Sequence, residues 1–288
     1  MPTTDLHTAD RAAQAPAGWS TLHRHHIGID IGGTAIKYAV VDMAKGVPTT
    51  PVLQLPTPVP ATPEAVAEAL GALVEQLSSR PEAPDPHASI GVALPAIVRH
   101  GVARSAANID RGWLGLDVQR FLTQRLGRAV HVLNDADAAG LAEIHYGAGR
   151  GEAGRPVAGT VLVITLGTGI GTALFVDGKL VPNMELGHLE LAGVDVDTWA
   201  SAVARERDQL DWAAYAQRLQ RYFSHLEFLF SPDLFIVGGG ISARHEDFLP
   251  LLDLETPIVP AGLRNSAGII GAARHAYLAA PPLEQPLE

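Results

Sequence analysis

Short apolar runs punctuated by glycine, proline and carboxylates set the pattern of this chain. IGIDI at 27–31 and IKYAVVD at 36–42 are rich in β-branched residues and predict two strands joined by a tight turn at Gly32 and Gly33. Residues 47–63 carry six prolines and predict an extended connection, whereas EAVAEALGALVEQLSS at 64–79 spaces its apolar positions as one face of a helix. PEAPDPH at 81–87 stops that helix. ASIGVALPAIV at 88–98 predicts a buried strand that turns at Pro95, and a second helix follows at about 117–127. AVHVLNDADAAGLAEIHYG at 129–147 reads as a strand running into a helix, with Asn134 and Asp135 at a junction whose side chains project into a cleft. PDLFIVGGGIS at 232–242 predicts another strand, Leu234 to Val237, running into Gly238, Gly239 and Gly240.

The pattern repeats. Shifted by 135, the stretch Ile27 to Thr34 falls on Leu162 to Gly169, and Asp42 falls on Asp177. Two similar strand, glycine turn, strand units predict two similar α/β domains around a shared cleft. Glycine permits positive φ and close backbone approach, so the turn at Gly32 and Gly33 with the Thr34 hydroxyl has the means to cradle a phosphate. The same units also fit two ordinary hairpins. A side-chain-free turn at a strand's carboxyl end, as at 238–240, admits a flat group such as a nucleobase or ribose. No GxxxxGK[ST] occurs, so the turns are not Walker motifs.

Composition narrows the class. With 288 residues, 47% hydrophobic and 18% charged, the chain has the length for one large domain or two smaller ones. It has no cysteine, which excludes disulfides and thiolate metal sites. A formal net charge of −10 disfavours a nucleic-acid binder. No apolar run approaches the roughly 20 residues of a membrane span, and residues 1–26 lack the apolar core of a secretory signal. A cytoplasmic location is expected. His23, His25 and His26 either bind a metal or belong to a solvated, mobile leader, and their place beside a polar terminus favours the leader.

The remaining polar clusters suit a sugar. Asn108 lies in SAANID, Asn134 and Asp135 in LNDAD, and Glu185, His188 and Glu190 in ELGHLEL. Carboxylates and amides match sugar hydroxyls because each offers two hydrogen-bonding positions in one plane. Singly, Asn134 or Asp135 is equally a helix cap and His188 a core histidine. Combined with three glycine turns, they favour phosphoryl transfer to a hydroxyl.

DIGGT at 30–34, NDAD at 134–137, LGTGIG at 166–171, ELGH at 185–188 and VGGGIS at 237–242 resemble, in order, the motif series of the ROK sugar kinases. AANID, WLG, NDADAAGLAE and LRNSAGIIGAA, with the segment at 201–207, are similar to the polyphosphate glucokinase branch of that family. The resemblance implies an α/β, actin-like ATPase (ribonuclease H-like) fold with two similar domains. The expected division is a leader at 1–23, an N-terminal domain at 24–134 joined by a C-terminal helix at about 268–280 that packs back, and a C-terminal domain at 135–267. It also implies transfer of the terminal phosphoryl of inorganic polyphosphate or ATP to the 6-hydroxyl of glucose, and in some members mannose, with Mg2+. In that scheme Asp135 is the general base, and Asn108, Asn134, Glu185, His188 and Glu190 hold the sugar. Asp30 holds magnesium through water. Gly32, Gly33, Thr34 and Lys37 face the phosphates from one domain and Thr168 and Gly169 from the other, while Gly238, Gly239 and Gly240 border the adenosine. A homodimer is the family's expectation.

The chain departs from the family pattern at several points. Without cysteines it lacks the zinc motif that follows the ELGH histidine in many members, so no zinc is expected at His188. Pro95-Ala96 replaces a Pro-Gly turn, and Tyr38 stands where small residues are usual, which narrows the expected donor channel. Lys37, Arg104, Lys179, Arg205 and Arg207 are candidate contacts for polyphosphate, although the arginines of RERDQLDW alternate with acids as on a solvated helix face. Two other functional classes stand beside the kinase. A ROK-type repressor needs a DNA-binding module, and only 29 residues precede Asp30. A non-catalytic sugar sensor has no need of a base at Asp135.

Overall fold

The structure is a computed structural model that describes residues 24–106, 109–151 and 153–279. The first sheet takes β1 (His25–Ile31), β2 (Ala35–Asp42), β3 (Val47–Pro48), β4 (Leu53–Pro56), β5 (Ile90–Leu94) and, beyond the small ribbon β6 (Val98–Arg99) and β7 (Val102–Ala103), β8 (Val130–Asn134). Its order is β3-β2-β1-β5-β8, with β4 also on β2; β1 and β2 are antiparallel, and β1, β5 and β8 parallel. Helices α1 (Pro63–Ser78) and α2 (Val118–Leu126) cover one face, and α3 (Asp135–Tyr146) follows β8 directly. Thr62 caps α1 by accepting from the Ala65 N–H, and Pro63 occupies the first turn, where no amide donor is missed.

The second sheet repeats this plan. Strands β9 (Thr160–Leu166), β10 (Ile170–Val176) and β11 (Lys179–Val181) come first. The ribbon β12 (Glu190–Leu191) and β13 (Val194–Asp195) and the helices α4 (Val196–Ala200), α5 (Ala202–Arg207) and α6 (Trp212–Phe230) lead to β14 (Leu234–Gly238), β15 (Ile258–Pro260) and α7 (Ala267–Ala279). The order β11-β10-β9-β14-β15, with β10 antiparallel to β9 and β14 and β15 parallel to it, matches the path β3-β2-β1-β5-β8 of the first sheet, and only β4 has no counterpart. A shift of 135 carries β1 onto β9 residue for residue. The echo breaks at the turn. Ile31 pairs with Ile36 across four residues, whereas Leu166 pairs with Ile170 across three. Asp42, at the end of β2, therefore has Val176 as its counterpart, and Asp177 lies in the turn beyond.

Strand alternation explains the layers. In β1, Ile27, Ile29 and Ile31 enter the core with α1 and α2. The intervening His26, Gly28 and Asp30 face α7: the His26 ring meets Tyr277, and a Cβ on Gly28 would lie 2.0 Å from the Ile269 carbonyl oxygen. Gly91 in β5 is held to glycine in the same way, 1.8 Å from the Ala272 oxygen. Helices α3 and α7 thus fill the space between the sheets, and one core joins Ala93 and Leu133, Leu141 and Ile144, Val161, Val163 and Phe175, and Ala272. On the outer face of the second sheet, Tyr215, Leu219, Tyr222, Phe223 and Leu226 of α6 pack on Leu162, Ile164 and Leu166.

Three sequence-based expectations change. His25 and His26 belong to β1 rather than to a solvated leader, with His26 buried and its Nδ1 3.1 Å from the Ser89 carbonyl oxygen; His23 lies outside the described residues. Tyr38 does not narrow a channel, because it faces the α1 core and donates to Gln76 Oε1 at 2.9 Å. Gly32 and Gly33 are not among the residues of positive φ; at Gly32 it is space that matters, since a Cβ would lie 2.9 Å from the Ala35 oxygen. No helix among the described residues is long and apolar enough to cross a membrane.

Candidate active site

The carboxyl ends of β1, β8, β9 and β14 and the start of α7 converge on a cleft of ≈ 210 Å³. Asp30 enters it because it shares the α7 face of β1 with Gly28, and its cross-strand partner Lys37 enters beside it from β2. Thr165, the residue that the repeat places on Asp30, lines the cleft from the second sheet. A Cβ on Gly268 would lie 2.8 Å from the Asp30 carboxylate, so α7 begins directly against that group. Burial raises the Asp30 pKa, and Lys37 opposes the rise.

Asp135 is the first residue of α3. Asn134, buried just before it, caps the helix by accepting from the N–H groups of Ala136 and Asp137 at 2.8 and 3.1 Å, and its Nδ2 donates to the Ala96 oxygen at 3.2 Å. The cap and the Asp135 side chain are thereby fixed together. Burial pushes the Asp135 carboxyl up to about 7, the charge of Asp30 adds to that, donation from the Ala136 N–H opposes it, and Glu185 raises it further. A carboxylate poised near neutrality is suited to take a proton. Gly238, Gly239 and Gly240 form the floor where β14 ends, with Gly239 at φ 81.

The structure brings Asp30, Lys37, Asp135, Gly238, Gly239 and Gly240 into one cleft. Gly32, Gly33 and Thr34 form the β1–β2 turn next to it but do not line it; Thr57 braces them, donating from Oγ1 to the Gly32 oxygen at 2.6 Å. Thr168 and Gly169 lie likewise on the β9–β10 turn, backed by Asp197, whose carboxylate accepts from Ile170 N–H. Glu185 and His188 flank a short turn before β12. Glu185 is half-buried with its pKa raised by burial. His188 is exposed, not a core histidine; its Nδ1 lies 3.0 Å from Asp195 Oδ2, a contact that raises its pKa. Glu190 is exposed on β12, and Asn108 lies outside the described residues.

Of the candidate cations, Lys37 alone lines this cleft. Arg205 lies over the Trp212 ring at 3.7 Å, and Arg207 is paired with Asp208. The cleft instead takes Arg264, Asn265 and Glu143, none of them singled out from the sequence. Asp30 fits a magnesium ion, being a half-buried carboxylate that lines the cleft; Mg2+ is commonly held by one or two carboxylates together with substrate phosphates.

The repeated sheets with α3 and α7 between them are the arrangement of the actin-like ATPase fold, and the model of the ROK family matches residues 26–206. The chain belongs to the ROK family. Among its relatives, the polyphosphate glucokinase of Mycobacterium tuberculosis (strain CDC 1551 / Oshkosh) is 41% identical over 267 residues, which cover 92% of this chain and 96% of that one. The crystal structure of the inorganic polyphosphate/ATP-glucomannokinase from Arthrobacter sp. strain KM superposes with a TM-score of 0.83 at 61% identity, covering 89% of this chain and 99% of the other. A ROK family glucokinase from Streptomyces griseus, in complex with glucose and AMPPNP, gives a TM-score of 0.71 at 26% identity over 87% of this chain and 98% of its own.

Proposed function

We propose that this ROK protein is a kinase that transfers the terminal phosphoryl group of inorganic polyphosphate, and of ATP, to the 6-hydroxyl of glucose, with mannose as a second acceptor. The observation that carries the reading is Asp135, a carboxyl raised to about 7 at the head of α3, in one cleft with Asp30, Lys37 and a glycine floor. The named activities of the similar Mycobacterium and Arthrobacter proteins support it.

In this reading the sugar 6-oxygen attacks the terminal phosphorus and its proton passes to Asp135. The bond from phosphorus to the bridging oxygen breaks, and that oxygen keeps the electron pair on the shortened polyphosphate or on ADP. Transfer of this kind rests on positioning and electrostatics more than on covalent chemistry. Asn108, Asn134, Glu185, His188 and Glu190 hold the sugar hydroxyls. Lys37 and the backbone at Gly32, Gly33, Thr34, Thr168 and Gly169 face the phosphates, and Gly238, Gly239 and Gly240 leave room for the adenosine. Asp30 would hold magnesium, which when bound would neutralise charge on the donor phosphates. Residues 24–134 with α7, and residues 135–267, act as two domains that close over the sugar and exclude water. The protein works in the cytoplasm as a homodimer, on small molecules and polyphosphate rather than nucleic acid.

The test is sugar 6-phosphate formation with glucose or mannose crossed against polyphosphate and ATP in the presence of magnesium. Asp135→Asn is expected to lower kcat by about 10²–10⁴ while still binding glucose. Undiminished turnover in that variant would remove Asp135 as the base, and a wild-type chain that binds glucose without turnover would be a sugar sensor.

A further inference from the structure

Polyphosphate is a long chain with about one negative charge per phosphate, whereas ATP carries its charge on three phosphates and continues as a neutral nucleoside. A site that prefers the former needs a cation beyond the place where the transferred phosphoryl group sits. Arg205 and Arg207 are engaged elsewhere, with Trp212 and with Asp208, so the source of that cation has to be sought in the cleft itself.

Arg264 meets the need. It lines the same cleft that Lys37 enters from β2, in the segment just before α7. It is exposed, and among the described residues it makes no ion pair with a carboxylate. Its backbone is held at φ 50, a left-handed conformation uncommon for a residue with a side chain. The holding group is Glu143, 1% exposed, whose Oε2 accepts from the N–H groups of Gly262 and Ala148, both at 2.9 Å, while Oε1 accepts from Leu263 at 2.8 Å. The Ser266 N–H donates to the Leu263 oxygen at 3.1 Å and closes the turn. With the Glu143 carboxylate occupied by three backbone donors, the guanidinium at the next residue keeps its planar fork of N–H groups for a ligand. That fork matches phosphate oxygens two at a time.

We propose that Arg264 binds the donor chain beyond the transferred phosphoryl group and sets the preference for polyphosphate over ATP, with Glu143 as the positioning residue that presents it. The proposal rests on the kinase reading above. Arg264→Gly is the informative variant because glycine adopts the left-handed backbone without strain. KM for long-chain polyphosphate is expected to rise about tenfold in that variant, the scale of one lost charged contact. The rise exceeds the change in KM for ATP, and Arg264→Lys recovers part of it. Direct titration of long-chain polyphosphate into the full-length protein with magnesium should show the same weakening without turnover. Glu143→Gln, which keeps the shape but replaces one acceptor by a donor, should shift the polyphosphate KM in the same direction.

If the wild type turns over both donors and Arg264→Gly keeps its polyphosphate KM and binding, this proposal alone is wrong. Equal changes for both donors would also overturn it, since they would place the arginine on phosphates common to the two. A wild type that uses neither donor removes the kinase reading and this proposal with it, and use of ATP alone removes the preference assigned here. Should Arg264→Gly fail to fold, Arg264→Gln gives the same comparison.

Discussion

Asp135 and Asp137 stand two positions apart at the head of α3, about 200° around the helix, and burial pushes both carboxyls up to about 7. Their surroundings give the shared value different meanings. Asp135 shares the cleft with Asp30 and Lys37, so the rate of sugar phosphorylation should climb as pH rises through about 7 and the proposed base loses its proton; a rate independent of pH between 5 and 8 would contradict that role. Asp137 is 1% exposed, with Oδ2 accepting from the Asn183 N–H at 2.9 Å and Oδ1 without a partner among the described residues. A carboxyl whose folded pKa is raised lends stability below its unfolded value near 4 and loses it as pH climbs through the folded value. Asp137→Asn keeps the acceptor for Asn183 and cannot ionise. It should therefore unfold close to wild type at pH 4 but be more stable at pH 8, by on the order of 1–3 kcal/mol, in denaturant titrations at the two pH values.

At the scale of elements, the fold depends on close approach between backbones. A Cβ on Gly271 would lie 1.6 Å from the Ala138 oxygen, so α7 and α3 touch without side chains between them, as α7 does with β1 and β5 at Gly28 and Gly91. Gly271→Ala must push the helices apart and should cost about 3–5 kcal/mol, read as a lowered midpoint of thermal or denaturant unfolding. Asn183, just after β11, holds the β6–β7 ribbon: its side-chain amide exchanges hydrogen bonds with Val98, Oδ1 accepting from the N–H at 2.8 Å and Nδ2 donating to the carbonyl at 2.9 Å. Much of this level was legible in the sequence. β1, β2, α1, β5, α2, β8 and α3 follow apolar runs with the right period, and the repeat carries β1 onto β9. The shift at the second turn was hidden, because glycine turns of three and four residues read alike. The 19 residues of α6 carry no glycine turn to mark them, although Tyr215, Leu219, Tyr222 and Leu226 keep helical spacing. Arg264 was legible only as part of LRNSAG, since its neighbours in the cleft come from β2, α3 and β14.

Across the whole molecule, two sheets of the same order face each other across α3 and α7, and the cleft opens where the parallel strands end. That position follows a general rule for open α/β sheets, and it gathers one residue or two from each strand end rather than a contiguous motif. The net charge of −10 makes local cations the means of attracting a polyanion. Turnover with polyphosphate should consequently decline more steeply with added salt than turnover with ATP, as the screening length shortens from about 10 Å at 0.1 M to about 3 Å at 1 M. Equal slopes for the two donors would show that only the shared terminal phosphates are held.

The last helix of the described chain lies at the centre of the molecule, and this bears on how the protein is made. Ribosomes deliver β1, β2, β5 and β8 long before α7, so the face of the first sheet that carries Gly28 and Gly91 stays uncovered until Ala267–Ala279 emerges. The nascent chain must carry that sheet face in waiting through most of its synthesis, and a message cut short before that helix would yield a product for chaperones and proteases to recognise.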